Sequence, residues 1–580
     1  MKGLAATVAA AGLLALPPPS AAQGTRGSAA TSTTAATTTA AATKADPNAP
    51  VPVLALDQPQ PGRRLTGRRV LEIAKRTEVA KRTLREVKGA YPGAYTKGPG
   101  RWQVSYFSRD KPPKEVAQLY VDDATARVTE AYTGYKVAWT MARGYEGAFG
   151  RKVNSPWVWI GLTLLFLVPF VRVRGVRLDL AVLAAFGISV AYFNDAQIDV
   201  SVPTVYPLLG YLLARALWIG LRRRDAERSR GRLQLLVPVS VLAVAVVFLL
   251  GFRVGLNVTS SNVIDVGYAG VIGADKLAGG QPLYGTFPKD NEHGDTYGPV
   301  TYAAYVPFVQ ALGWSGSWDG DLPAAHAAAI AFDLVCCLLL FLIGRRLRGP
   351  TLGVVLAYLW AAFPFTLYVQ MSNSNDALVA VFVLLAVYLA TSAPARGAAV
   401  ALGGLTKFAT LALGPLFATH GFGRTRARGL VAFGLSFAAV AAISMAPVAL
   451  QGEALSTVYD RTLGFQATRG SPFSVWGLYA LPGLQQVWQG LSVLLAVAVA
   501  LVPRRRDTVG LAACAAAVVI ALQAGVTHWF YLYVVWFFPL LAIALFARYE
   551  EGAAALADAP AEGAASSPSQ GTSSGSIAVA

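Results

Sequence analysis

Asp265 stands in the run "SSNVIDVGYAG", shortly after a long apolar stretch. A carboxylate near a bilayer surface in locally apolar sequence has its pKa raised by desolvation, which helps it act as a general base. A helix cap or a solvated loop acid is the plainer reading of the same residue. Lys407 lies inside "ALGGLTKFATLALGPLF". An intramembrane lysine is expensive unless it pairs, lines a cavity or snorkels to the interface. His528 sits beside Trp529 and Tyr531 at the edge of the last apolar run. It could move a proton or hold a hydroxyl or phosphate, and it could equally be an interfacial anchor. Glu292, His293 and Asp295 fall together in "KDNEHGDTYG". Such side chains can ligate a divalent cation, but the spacing of a known metal loop is absent, so no metal site is expected. Asp333 and Asp376 lie in or beside apolar runs, and Asp376, after Asn373 and Asn375, reads first as a helix cap.

Other chemistries find little support. No phosphate-cradling loop, no His-Glu-x-x-His and no Gly-x-Ser-x-Gly elbow occurs. The three cysteines, Cys336, Cys337 and Cys514, all fall in apolar runs, where free cysteine packs as a small hydrophobe. Asn257-Val258-Thr259 has the form of an N-glycosylation acceptor, a motif short enough to arise by chance.

The elements that must position these residues are membrane helices. Of the 580 residues 54% are apolar before glycine is counted and only 14% are charged, against about 25% charged in a soluble domain. An ordinary cytosolic enzyme is excluded. Apolar stretches recur near 157–171, 178–193, 203–221, 233–251, 324–343, 351–369, 376–391, 429–449, 487–502, 508–526 and 529–547. The stretch 397–418 is interrupted by Gly403, Gly404, Lys407 and Pro415 and reads as two half-helices. The segment 299–313 is short and proline-bearing, which suits an interfacial helix.

The net charge of +18 is mostly topological. Clusters at Arg172–Arg177, Arg222–Arg232, Arg345–Arg348, Arg424–Arg428 and Arg504–Arg506 all fall on one side if 397–418 returns to its starting side. No soluble part gathers basic and aromatic residues into a nucleic-acid face. "MKGLAATVAAAGLLALPPPSAAQG" has the build of a signal peptide over 1–22, which places the mature N-terminus outside the cytoplasm. An Ala/Thr/Pro linker over 23–62 and a small, polar cytoplasmic tail over 548–580 cannot bury enough surface to order themselves. Between linker and membrane, residues 63–150 show helical spacing followed by strand-like runs, a small extracytoplasmic α+β domain. Membrane helices at 151–232 and 233–547 follow, with outer loops 252–323 and 450–486 facing the same side.

Two resemblances sharpen this reading. "LYVDDATARVTEAYTG" after a helical segment resembles the final hairpin of the PepSY family, with Ala126 where that family has a turn glycine. It implies a regulatory or binding module without catalytic residues of its own. Asp265-x-x-Tyr268, Gly279-Gly280-Gln281-Pro282-Leu283-Tyr284 and Thr296-Tyr297-Gly298-Pro299-x-x-Tyr302 resemble the first outer loop of GT-C superfold glycosyltransferases. "SNSNDALVAVFVLLAVYLA", "SPFSVWGLY" and "HWFYLYVVWFFPLLAIAL" extend the likeness to about 233–547, closest to the polyprenyl-phosphate-mannose-dependent, alpha-1,2-mannosyltransferase-like branch. The helices at 157–221 precede the usual start of that fold.

The resemblance implies an all-α polytopic protein of about 11–13 transmembrane segments in the plasma (inner) membrane. It would transfer a sugar, mannose above others, from a polyprenyl-phosphate donor to a glycolipid or cell-envelope acceptor outside, by inversion. Asp265 would be the catalytic base. Lys407 and Arg469 would meet the phosphate, and His528, Asp295, Tyr268 and Tyr297 would bind substrate. A solvated loop charge is the plainer reading of Arg469, and interfacial anchoring that of the tyrosines. No cofactor is expected beyond the unfavoured cation. A transporter or lipid flippase, or a PepSY-type sensor or assembly protein, are the alternatives.

Overall fold

The computed structural model describes residues 50–144, 151–222, 231–318, 322–421, 426–502 and 507–550. The expected signal peptide, most of the expected linker, the tail beyond 550, and Arg223, Arg224, Arg228, Arg230, Arg424 and Arg504–Arg506 of the basic clusters lie outside these residues.

The N-terminal part is an antiparallel meander in chain order: β1 (Val51–Pro52), β2 (Tyr91–Thr96), β3 (Arg101–Phe107), β4 (Glu115–Asp122) and β5 (Val128–Thr133). Two helices, α1 (Gly67–Lys75) and α2 (Glu78–Glu86), cover one face. One periodic stretch becomes two helices because Thr77 restarts it, its Oγ1 accepting from the Ala80 amide at 3.2 Å. Trp102, Val104 and Tyr106 of β3, with Leu119 and Val121 of β4, alternate onto this face and pack on Val70, Ala74 and Ala80. β1 corrects the expectation that 23–62 stays unordered, because Val51 and Pro52 pair with Thr96 and Tyr95 and Val53 is buried in the core. β2, with Pro92 and Gly93, falls outside the strand-like runs of the sequence. The structure tolerates them because β1 pairs only with Tyr95 and Thr96, leaving Pro92 on an open edge.

The membrane region begins with α3 (Pro156–Leu167), α4 (Arg177–Asn194), α5 (Ile198–Leu221) and α6 (Val239–Ser260). It continues through α7 (Asp265–Ala278), α8 (Pro299–Leu312), α9 (Pro323–Arg348), α10 (Pro350–Ala362), α11 (Pro364–Met371), α12 (Asp376–Tyr388) and α13 (Ala393–Gly404). The last helices are α14 (Arg426–Leu450), α15 (Pro482–Leu501), α16 (Thr508–Ala524) and α17 (Val534–Phe546). Among the described residues, six helices (α4, α5, α6, α9, α14 and α15) are long and apolar enough to cross a membrane, or seven if α10 and α11, bent by 56°, form one span. The chain is a mostly helical, polytopic protein. Helices α16 and α17 are apolar all round and buried almost throughout, so they form the centre. Val244, Val247 and Phe248 of α6 are 70–73% exposed, a surface that belongs against lipid.

One boundary differs from expectation. The apolar run ending at 251 continues as helix to Ser260, so the loop starts later and Asp265 follows almost at once. Arg253 marks the misreading: it ends the apolar run in sequence, yet it is wholly buried against Asp333. Its Nε donates to Asp333 Oδ2 at 3.1 Å, and its Nη1 reaches Ala361 O and Thr366 Oγ1, both at 3.2 Å. Pro364 stops α10 before it can join α11. Arg253 thus supplies a donor to a carbonyl freed by the bend, as backbone at membrane depth requires. Asn257, one turn on, is also buried and donates to Gln370 O at 2.7 Å, which closes it to glycosylation.

Two stability predictions follow from these contacts. Ala126 in the β4–β5 turn has φ +54°, a conformation that burdens alanine and suits glycine. Ala126→Gly should stabilise the hairpin by about 0.5–1 kcal/mol, read as slower amide exchange in β4 and β5. Arg253→Met alone should destabilise the membrane region by about 3–5 kcal/mol, with Arg253→Met/Asp333→Leu recovering much of that loss in detergent unfolding.

Candidate functional site

Two interruptions of helical backbone bring the site together. The first is the turn from Ser372 to Asn375, between α11 and α12. It carries the start of the first loop, because Ile264 N donates to Ser372 O at 3.2 Å and Asn373 Nδ2 donates to Asn262 O at 2.9 Å. Gly267 of α7 lies so close that a Cβ there would meet Asn373 O at 2.1 Å. This docking sets Asp265, the first residue of α7, near Asp376, the first residue of α12.

The second interruption is Leu405–Lys407, where α13 stops and Lys407 becomes extended. The N-terminus of α8 docks there. Gly298 N donates to Thr406 O at 3.1 Å, Val300 N to Leu405 O at 3.1 Å, and Thr301 Oγ1 to Thr406 O at 2.8 Å. A Cβ at Gly298 would meet Leu405 O at 2.0 Å. The result places the Tyr297 ring 5.0 Å from Lys407 Nζ.

Lys407 Nζ donates to Asp376 Oδ1 at 2.6 Å, and Trp536 Nε1 donates to the same oxygen at 2.9 Å. Ser374 Oγ holds the other oxygen at 2.9 Å. Asp376 is therefore not the helix cap its position suggested but the counter-ion of a buried lysine. The side chain of Asn375, at the cap position, makes no capping bond.

Asp265 is open to solvent by area, yet protein surrounds it closely enough that burial dominates its titration. Both hold for a group on the floor of a cleft. Burial raises its pKa, Asp376 reinforces the shift, and the Val266 amide, Arg469 and Lys407 oppose it. Among the described residues no carboxylate forms an ion pair with Arg469. His528 accepts or donates through Nδ1 to Ser471 Oγ at 2.9 Å. Burial, then the charges of Arg469 and Lys407, push its pKa well below the usual imidazole value, so it stays neutral.

The second loop fixes the first. Glu453 accepts from the amides of Leu283 and Tyr284 at 2.8 and 2.7 Å, and Arg461 Nε donates to Asp295 Oδ2 at 2.7 Å. Arg469 and Lys407 thus lie close enough to act on both Asp265 and His528, and Tyr297 lies beside Lys407. Of the other two expected substrate residues, Asp295 gives Oδ2 to Arg461 and to the Gly285 amide and keeps Oδ1 buried without a partner. Tyr268 is fully buried, stacked on Trp318 at 5.2 Å with its hydroxyl on Asp290. His293 stacks on Phe465, and among the described residues no group of three or more His, Cys, Asp or Glu side chains gathers to hold a metal.

Sequence reasoning misses Trp536 and Trp139 as neighbours of the site. Trp536 hides in a uniformly apolar run. Trp139, in the turn after β5, lies 5.5 Å from the His528 ring and 5.3 Å from the Arg469 guanidinium, and no local pattern announces a contact across so much sequence.

No family model matches the chain, and neither a curated protein nor a solved structure does. The class is therefore carried by the fold and the site alone: a polytopic protein in which two cations, Lys407 and Arg469, lie near a carboxylate, Asp265, and a neutral imidazole, His528.

A carboxyl whose pKa is raised by folding contributes stability below its unfolded pKa and loses it as pH rises through the folded value. Asp265→Asn should therefore melt higher than the unaltered protein at pH 7–8. The gap should close as pH falls below about 4, the ordinary aspartate value, in thermal unfolding measured across that range.

Proposed function

We propose that the chain is an integral-membrane glycosyltransferase of the GT-C superfold, taking a sugar, mannose before others, from a polyprenyl-phosphate donor to a lipid-linked or cell-envelope acceptor on the extracytoplasmic face. The observation that carries it is Asp265 in an open cleft, raised in pKa, with Arg469 and Lys407 close by. An inverting transfer asks for this pairing of groups. The acceptor hydroxyl gives its proton to Asp265 as its oxygen attacks the anomeric carbon. The bond from that carbon to the phosphate oxygen breaks, and the polyprenyl phosphate leaves with the electron pair. Arg469, which has no carboxylate partner among the described residues, and Lys407, shared with Asp376, offset the charge of the leaving phosphate. Neutral His528 can donate or accept a hydrogen bond without adding charge. The sheet and its two helices, in this reading, form the PepSY-like module.

A second reading draws on the buried pairs Arg253–Asp333 and Lys407–Asp376. Charged pairs among broken helices are also what a transporter or lipid flippase uses.

Radiolabelled polyprenyl-phosphate-mannose, offered with native membrane lipids to the purified protein in liposomes, tests the choice. Transfer by the unaltered protein should fall about 10²–10⁴-fold in Asp265→Asn. Its acid limb should lie above the ordinary aspartate pKa of about 3.9, since the base works only when ionised and its pKa is raised. Equal transfer by both proteins would remove Asp265 from catalysis. Absence of transfer from mannose, glucose and arabinose donors, with movement of labelled lipid between leaflets, would favour the flippase.

A further inference from the structure

One neighbour of Arg469 and His528 comes from outside the membrane helices. Trp139 comes from the N-terminal module, in a tight turn directly after β5, its amide donating to Tyr135 O at 2.9 Å. Arg143 locks that turn, with Nε on Lys136 O at 2.8 Å and Nη2 on Val137 O at 3.2 Å. The same guanidinium is tied to the sheet, lying 4.3 Å from the Tyr132 ring and bonding Gln118 Oε1 at 2.5 Å. Sheet, turn and Trp139 are thus one connected piece. The half-buried indole meets Phe473 edge-on at 5.3 Å, lies over His528, and presents its ring to Arg469. Phe465 lies 5.8 Å from the same guanidinium. An aromatic ring attracts a guanidinium without neutralising it, so the pair fixes where the cation sits and leaves its charge for an anion.

We propose that the N-terminal module is a working part of this site, with Trp139 as a positioning residue that holds Arg469 to bind a phosphate anion. The inference rests on the reading of Arg469 as an anion partner, though not on sugar transfer itself. A phosphate could arrive on a lipid or free in solution, and both share the chemistry that Arg469 would recognise.

The test is calorimetric binding of a short-chain polyprenyl phosphate and, separately, of inorganic phosphate to the full chain in nanodiscs. Trp139→Ala should weaken binding about five- to tenfold, with Trp139→Phe restoring most of it. Trp139→Leu keeps bulk without a π face and should behave like the alanine variant, which separates positioning from simple packing. In Arg469→Gln, adding Trp139→Ala should change affinity less than about twofold, because the ring acts through the cation. Binding of the lipid phosphate alone, of inorganic phosphate alone or of both, with this coupling, supports the proposal and identifies the source. Wild-type affinity in Trp139→Leu, additive losses in the double variant, or no binding of either phosphate by the unaltered protein would overturn it. Coupled phosphate binding without any sugar transfer would leave this inference standing and remove the transferase reading.

Discussion

The contact between Lys407 and Asp376 governs the arrangement around it. An ammonium and a carboxylate this deep in an apolar bundle hold each other at 2.6 Å, and each stands where regular helix has given way: Lys407 just past α13, Asp376 just after the Ser372–Asn375 turn. Backbone that leaves the helix at membrane depth needs partners from within the protein. Those partners are the entering ends of α7 and α8, which bond to Ser372, Leu405 and Thr406. Satisfying the broken backbone and delivering Asp265 and Tyr297 to the ion pair are therefore the same structural event.

The two buried pairs play different parts. Arg253 and Asp333 are almost fully enclosed and spend their hydrogen bonds on the α10–α11 bend and on Trp360. Lys407 and Asp376 instead act electrostatically on the exposed Asp265, and Lys407 also acts on His528. Removing one partner of an enclosed pair strands a charge, whereas a pair beside a cleft can share its charge with an arriving ligand.

A mostly helical, polytopic chain is legible in the sequence, because apolar runs of helix length leave few alternatives. The span number is not: against about 11–13 expected, six helices among the described residues, or seven with the bent pair, are long and apolar enough to cross. The errors cluster where polarity has a private explanation. Arg253 and Asn257 look like the end of a span until their buried partners are seen. Asp376 looks like a cap until Lys407, distant in sequence, is brought to it. Val51 and Pro52 look unordered because nothing local shows that Thr96 and Tyr95 will pair with them. Asp265, Lys407, Arg469, His528 and Tyr297 could each be named from residue type and surroundings. Tyr268 and Asp295 could be named too, but only packing reveals that Trp318 stacks on the one and Arg461 pairs with one oxygen of the other.

The turn that carries Trp139 alters how this chain may be divided. A cut at residue 150, where composition passes from polar to apolar, separates a folded sheet from a bundle of helices. That cut also removes the aromatic surface beside His528 and Arg469. The boundary in composition therefore does not coincide with the boundary of the contacts around His528 and Arg469. Grafting the helices onto another module would leave His528 and Arg469 without the indole that lies against them.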